Sequence, residues 1–140
     1  MKSTLRITAA ALSLAFVAVP VMAQSAATLP RAKFDAKGIA RTETVRSEFD
    51  SKREAIQVRV DFKPGASFPK HSHPGAEIAY VLNGSIDYEM DGKIIRLKAG
   101  ESLYIPAGAV HSAKNTGAEV CSELATYVVE KNQPIVILDK

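Results

Sequence analysis

The chain has 140 residues, 46% of them hydrophobic, with 18 Lys and Arg, 15 Asp and Glu, three His, one Cys and no Trp. That length suits one domain, and a single cysteine excludes both an internal disulfide framework and a Cys-rich zinc module. The formal charge of +3 owes two of its units to Lys2 and Arg6; the rest of the chain holds 16 basic and 15 acidic residues with no basic run, so the footprint of nucleic-acid binding is absent.

Residues 1–23 read as a secretory signal peptide. Lys2 and Arg6 form a positive start, residues 7–19 an apolar run, and Val21 and Ala23 a small-residue cleavage site. The apolar run of 13 residues is shorter than the roughly 20 that a membrane span needs. No stable membrane insertion is therefore expected once the signal is removed. Cleavage after Ala23 leaves 117 residues, and the expected compartment is the bacterial periplasm. Residues 24–37 are small, polar and Pro-containing, and read as a flexible leader. Residues 38–140 form the domain.

From about Gly38 onward the pattern is β. Residues 55–62 alternate, with Ile56, Val58, Val60 and Phe62 on one face. Residues 77–82, 85–90 and 93–97 follow as short strands, and Asn83-Gly84 and Asp91-Gly92 are two-residue hairpin signals. Residues 103–105, 110–114, 120–129 and 135–138 complete the series. No helical periodicity follows the signal. Short strands with frequent Gly and Pro turns predict an all-β fold, an antiparallel sandwich or barrel.

All three histidines lie in two compact segments. His71 and His73 are two apart, which on a strand puts both imidazoles on one face. Pro74-Gly75 then turns the chain, and Glu77 opens the next strand on the same parity. Pro106 and Gly108 fix a second turn, from which His111 follows; a strand across the barrel could deliver it to the same point. Three imidazoles and a carboxylate make a mixed N/O site for one divalent transition metal. Iron, manganese, cobalt, nickel and copper suit it, with positions open for water, substrate or O₂. Zinc is possible as the ion, but the set does not resemble a closed, thiolate-rich structural zinc site.

These segments resemble the two motifs of the cupin superfamily. Gly65, His71, His73, Glu77 and Gly84 fit the first, G-x5-H-x-H-x3,4-E-x6-G. Gly100, Pro106, Gly108, His111 and Asn115 fit the second, G-x5-P-x-G-x2-H-x3-N. The resemblance implies an antiparallel double-stranded β-helix (jelly-roll) barrel with His71, His73, Glu77 and His111 as metal ligands inside. It also implies a small-molecule substrate or ligand and a homodimer. It does not settle the activity. The leading reading is an oxidoreductase of the dioxygenase type acting on a small chelating oxygen compound. The alternatives are a non-catalytic metal- or ligand-binding module and a redox-neutral isomerase, lyase or decarboxylase.

Other residues carry weaker expectations. Cys121 reads as a buried hydrophobe, or as a thiol near the metal. Tyr88 reads as core; Tyr104 and Tyr127 are candidates for the pocket wall. Arg59 reads as solvent-facing, with substrate binding as the alternative. Asn115 reads as structural and Glu123 as a candidate acid or base. With three histidines committed to one site, none is left over as a separate base.

Overall fold

A computed structural model describes residues 32–139. The expected signal peptide and most of the expected leader lie outside the described residues. Ten strands form two five-stranded sheets, and every pairing is antiparallel. The first sheet runs β1 (Ile39–Glu48), β2 (Arg53–Phe62), β9 (Cys121–Glu130), β4 (Gly75–Asn83), β7 (Ser102–Ile105). The second runs β10 (Ile137–Leu138), β3 (Ser67–Ser72), β8 (His111–Lys114), β5 (Ser85–Met90), β6 (Lys93–Lys98). No helix occurs among the described residues. The all-β jelly-roll expectation holds.

Alternation explains which face each strand buries. On β2, Ile56, Val58, Val60 and Phe62 are buried and stand opposite Tyr127, Ala125, Glu123 and Cys121 of β9. Directly opposed residues of an antiparallel pair point to the same face, so all eight line the interior. Glu77, Ala79 and Val81 of β4 meet the same β9 row from its other side. The second sheet adds Ile86, Tyr88, Leu97 and Ala113 to one continuous core. Full burial of such aliphatic or aromatic side chains contributes about 1.5–3 kcal/mol each.

The two hairpin signals separate here. Asp91 and Gly92 both have positive φ, 52° and 71°, as a two-residue turn joining paired strands requires, and β5 and β6 do pair. Asn83-Gly84 does not make a hairpin, because β4 and β5 belong to different sheets. Gly84 instead carries the chain from one sheet to the other at φ 73°, and a Cβ there would lie 2.7 Å from Cβ of Cys121. The dipeptide's dihedral preference is local, whereas the choice of pairing partner is tertiary. A first strand, β1, precedes those given individual bounds from the sequence; it lies on the sheet's edge and mixes polar with apolar residues, so its alternation is faint.

Candidate metal centre

His71, His73, Glu77 and His111 meet inside the barrel. One ligand atom from each lies within 4.8 Å of every other, and all four side chains are buried. His71 is the penultimate residue of β3 and stands directly opposite His111 at the start of β8. His111 thus arrives from the neighbouring strand of the same sheet, not from across the barrel. Glu77 is the residue that crosses, from β4 of the other sheet. His73 lies one residue beyond the end of β3, in the turn before Gly75. That turn brings the backbone close: a Cβ at Gly75 would sit 2.1 Å from the Val128 carbonyl oxygen. Only glycine fits, and the tight approach holds Glu77 two residues later against Tyr127 of β9.

Backbone carbonyls orient all three imidazoles. Nδ1 of His71 lies 2.8 Å from the Pro69 oxygen, Nδ1 of His111 3.0 Å from the Ala109 oxygen, and Nδ1 of His73 2.5 Å from the Ile135 oxygen. A carbonyl only accepts, so each Nδ1 carries a proton and donates it. In the neutral rings each Nε2 then keeps its lone pair. Nε2 of His73 lies 2.8 Å and Nε2 of His111 3.4 Å from Oε2 of Glu77. Yet Nε2 of His73 and Oε2 of Glu77 are buried without a hydrogen-bond partner. Buried polar atoms left unpaired are costly, and two lone pairs facing one another call for a cation. The donor set therefore fits a divalent ion, with the carbonyl-to-Nδ1 bonds supplying the outer support such ligands commonly have.

The electrostatics agree. Burial, then the His111 charge nearby, holds His71 down to about 4, neutral and ready to ligate. Burial pushes Glu77 up, but the contacts from His111 and His73 outweigh it and hold the carboxyl at about 2. Burial pulls His111 down, but the Glu77 carboxylate outweighs it and raises its pKa.

Beside the cluster lies a cavity of about 20 Å³. A cavity needs roughly 10–15 Å³ to hold a water, so there is room for a small group beside the cluster. Val60, Phe62, Phe68 and Val136 supply apolar wall; Tyr88, Glu123, Tyr127 and Arg41 supply polar groups. Glu123 is buried and accepts a hydrogen bond from the Tyr88 hydroxyl. Burial and the Glu77 charge push its carboxyl up to about 8. Tyr127 packs its ring 4.8 Å from that of His73.

The remaining candidates sort cleanly. Tyr104 is exposed on the outer face and takes no part. Arg59 pairs with Asp61 at 2.7 Å and reaches Ser122, away from the cavity. Cys121 points inward but is not part of the cavity wall; burial pushes its thiol up to about 12, unreactive. Asn115 is structural: its amide donates to the carbonyls of Phe62 and Glu119, and its oxygen accepts from Gly117. Arg41, which the sequence did not single out, reaches the cavity from β1.

Comparison with known proteins agrees with this geometry. The model of the family described as Cupin domain matches residues 58–127. A germin-like protein, subfamily 2 member 1, from Arabidopsis thaliana is 30% identical over 124 residues, covering 74% of this chain and 57% of that protein. An oxalate-binding protein from Thermotoga maritima is 35% identical over 72 residues, covering 51% of this chain and 60% of that protein. The chain thus spans about three fifths of the length of each. The crystal structure of a predicted oxalate decarboxylase from Thermotoga maritima superposes with a TM-score of 0.60 at 26% identity, over 76% of this chain and 96% of that one. With both motifs folded into one buried His/Glu cluster inside a two-sheet barrel, and with the family's model matching half its length, this chain belongs to the cupin superfamily.

Proposed function

We propose that this protein is an exported, periplasmic cupin that holds one divalent transition metal on His71, His73, Glu77 and His111 and takes a small chelating oxyanion, with oxalate as the model ligand. The observation that carries the reading is the unpaired His73 Nε2 and Glu77 Oε2 in a buried cluster beside a cavity. Bound there, the metal supplies Lewis acidity and open positions for the ligand's oxygens. A dipositive ion with one ionised glutamate leaves the centre at +1, which favours an anion. The names of relatives support the same ligand class, one being an oxalate-binding protein and another a predicted oxalate decarboxylase.

The protein's own groups set the rest of the chemistry. Val60, Phe62, Phe68 and Val136 exclude water from the ligand. Glu123 is the carboxyl at the cavity wall placed to take or give a proton, since no histidine is left uncommitted. The catalytic form of the proposal is oxidative: with oxalate the C–C bond breaks to two CO₂ while O₂ takes up the two electrons and two protons as H₂O₂, an oxidase outcome, and the dioxygenase-type reading applies to a chelating acid into which both oxygen atoms can be inserted. A homodimer would use the outer face of β4 and β7, where Ile78, Tyr80, Leu82 and Tyr104 are exposed; light scattering on the purified chain tests it.

The main test loads the protein with manganese or iron, titrates oxalate by calorimetry, and follows O₂ with an electrode. Oxalate binding with O₂ uptake above free metal is expected. Tight binding without turnover would convert the protein to a binding module, and product formed under strict anaerobiosis would point to a redox-neutral enzyme. No binding of oxalate or of another small chelating acid such as glycolate beyond that of free metal would overturn the proposal. Export is checked separately, by a mature N-terminus at Gln24.

A further inference from the structure

Arg41 is a cation without an assigned task. It lies on β1, directly opposite Val60, whose side chain lines the interior. Its side chain therefore points to the inner face, and it lines the same cavity as His71, Glu77 and His111. The guanidinium carbon lies 5.5 Å from the centre of the Phe68 ring, and the group stands beside the Tyr127 hydroxyl. Arg46, Arg53, Arg59 and Arg96 each hold a carboxylate at 2.6–2.8 Å. Among the described residues Arg41 holds none.

An arginine without an anion, aimed at a pocket that already favours one, is an anion-binding group. We propose that Arg41 is the specificity-determining residue of the site and selects dianionic dicarboxylates over monoanions. This rests on the proposed metal-bound oxyanion. A dipositive ion, ionised Glu77 and Arg41 together carry +2, which a dianion neutralises. A chelated oxalate presents two outward oxygens, one from each carboxylate, and a guanidinium fork can donate to both. Glycolate forms the same chelate ring but presents one outward oxygen and one charge less. Arg41 sits exposed at the mouth, so it can meet the ligand on entry, with Phe68 and Tyr127 beside it.

The experiment titrates manganese-loaded wild type, Arg41→Met, Arg41→Lys and the exposed control Arg46→Met with oxalate and with glycolate, alongside metal content per chain. Metal content should be the same in all four. Arg41→Met should weaken oxalate about 10- to 100-fold and glycolate only a few-fold. Arg41→Lys should fall between, because it keeps the charge and loses the fork. Arg46→Met should match wild type. Equal weakening of both ligands, unchanged oxalate affinity in Arg41→Met, or loss of metal from that variant would overturn the assignment while leaving the metal-bound oxyanion standing. Metal-filled wild type that binds glycolate but not oxalate would overturn the assignment alone. Wild type that binds neither would remove the proposed function and this inference with it.

Discussion

The two ends of the barrel interior are built on opposite principles. At one end stand His71, His111, His73, Glu77 and Tyr127; at the other stand Val81, Ile86, Leu97 and Cys121. Both ends are buried, and both contain polar side chains. At the apolar end the polar residue is Asn115, and its amide nitrogen and oxygen all have partners in the backbone. At the histidine end, Nε2 of His73 and Oε2 of Glu77 have none. Tyr88 and Glu123 lie between, satisfied by one another. The apolar end therefore holds the fold together, and the histidine end stays unsatisfied until a cation joins it. Stability and binding should come apart when the two ends are changed separately.

The largest separation is expected from the ligand set. His73→Ala should lower metal affinity on the order of 100-fold or more, read as metal per chain after dialysis. The metal-free melting temperature should change little, because the substitution removes a buried polar group that lacked one of its partners. Retention of full metal content would break the assignment of the histidine end. The complementary change is Ile86→Ala at the other end. It should cost about 2–5 kcal/mol of unfolding free energy, measured by urea titration, while the folded fraction keeps one metal per chain. Loss of metal in that variant would show that the ends are coupled.

Much of this division was legible in the sequence. The His/Glu cluster was readable because the chain has only three histidines, all at motif positions, and spacing alone placed two of them on one face. The origin of His111 was not readable, since which strand becomes its neighbour depends on pairing over a separation of 40 residues between His71 and His111. Asn83-Gly84 misled for the same reason, as its φ preference serves a sheet crossing as well as a hairpin. The carbonyl of Ile135, which orients His73, belongs to the backbone and leaves no trace in residue type. Arg41 was hidden because arginine on a polar edge strand reads as solvent-facing. The available signal was parity: Ile39 and Arg41 alternate, and Ile39 is the buried member that names the inner face.

Acid should open the histidine end before it affects the apolar one. Without metal, His111 is favoured in its protonated form beside ionised Glu77, since its pKa is raised. The metal has to displace that proton. Metal affinity should therefore be flat above the raised His111 value and fall about tenfold per pH unit below it. A second loss should begin near pH 4, where His71 takes its own proton. Metal retention across pH 8 to 4 by equilibrium dialysis checks this, and a pH-independent affinity would contradict the shared-proton arrangement.

The smallest effect belongs to the residue between the two ends. The Glu123 carboxyl is pushed from 4.5 up to about 8, by burial first and by the Glu77 charge second. A raised pKa means that the folded state holds the proton more tightly than the unfolded chain. The resulting stability is fully present below pH 4.5 and is lost as pH rises through about 8. Glu123→Gln keeps an acceptor for the Tyr88 hydroxyl and cannot ionise, so it escapes that loss. In metal-free protein, the variant's stability relative to wild type should therefore improve as pH rises from 4.5 to 8. Urea titrations at the two limits measure it. With metal bound the difference should shrink, because a cation nearby favours the ionised form of Glu123. A difference that stays constant with pH, with or without metal, would place Glu123 with the apolar end as a packing residue and leave the histidine end without its proton-holding neighbour.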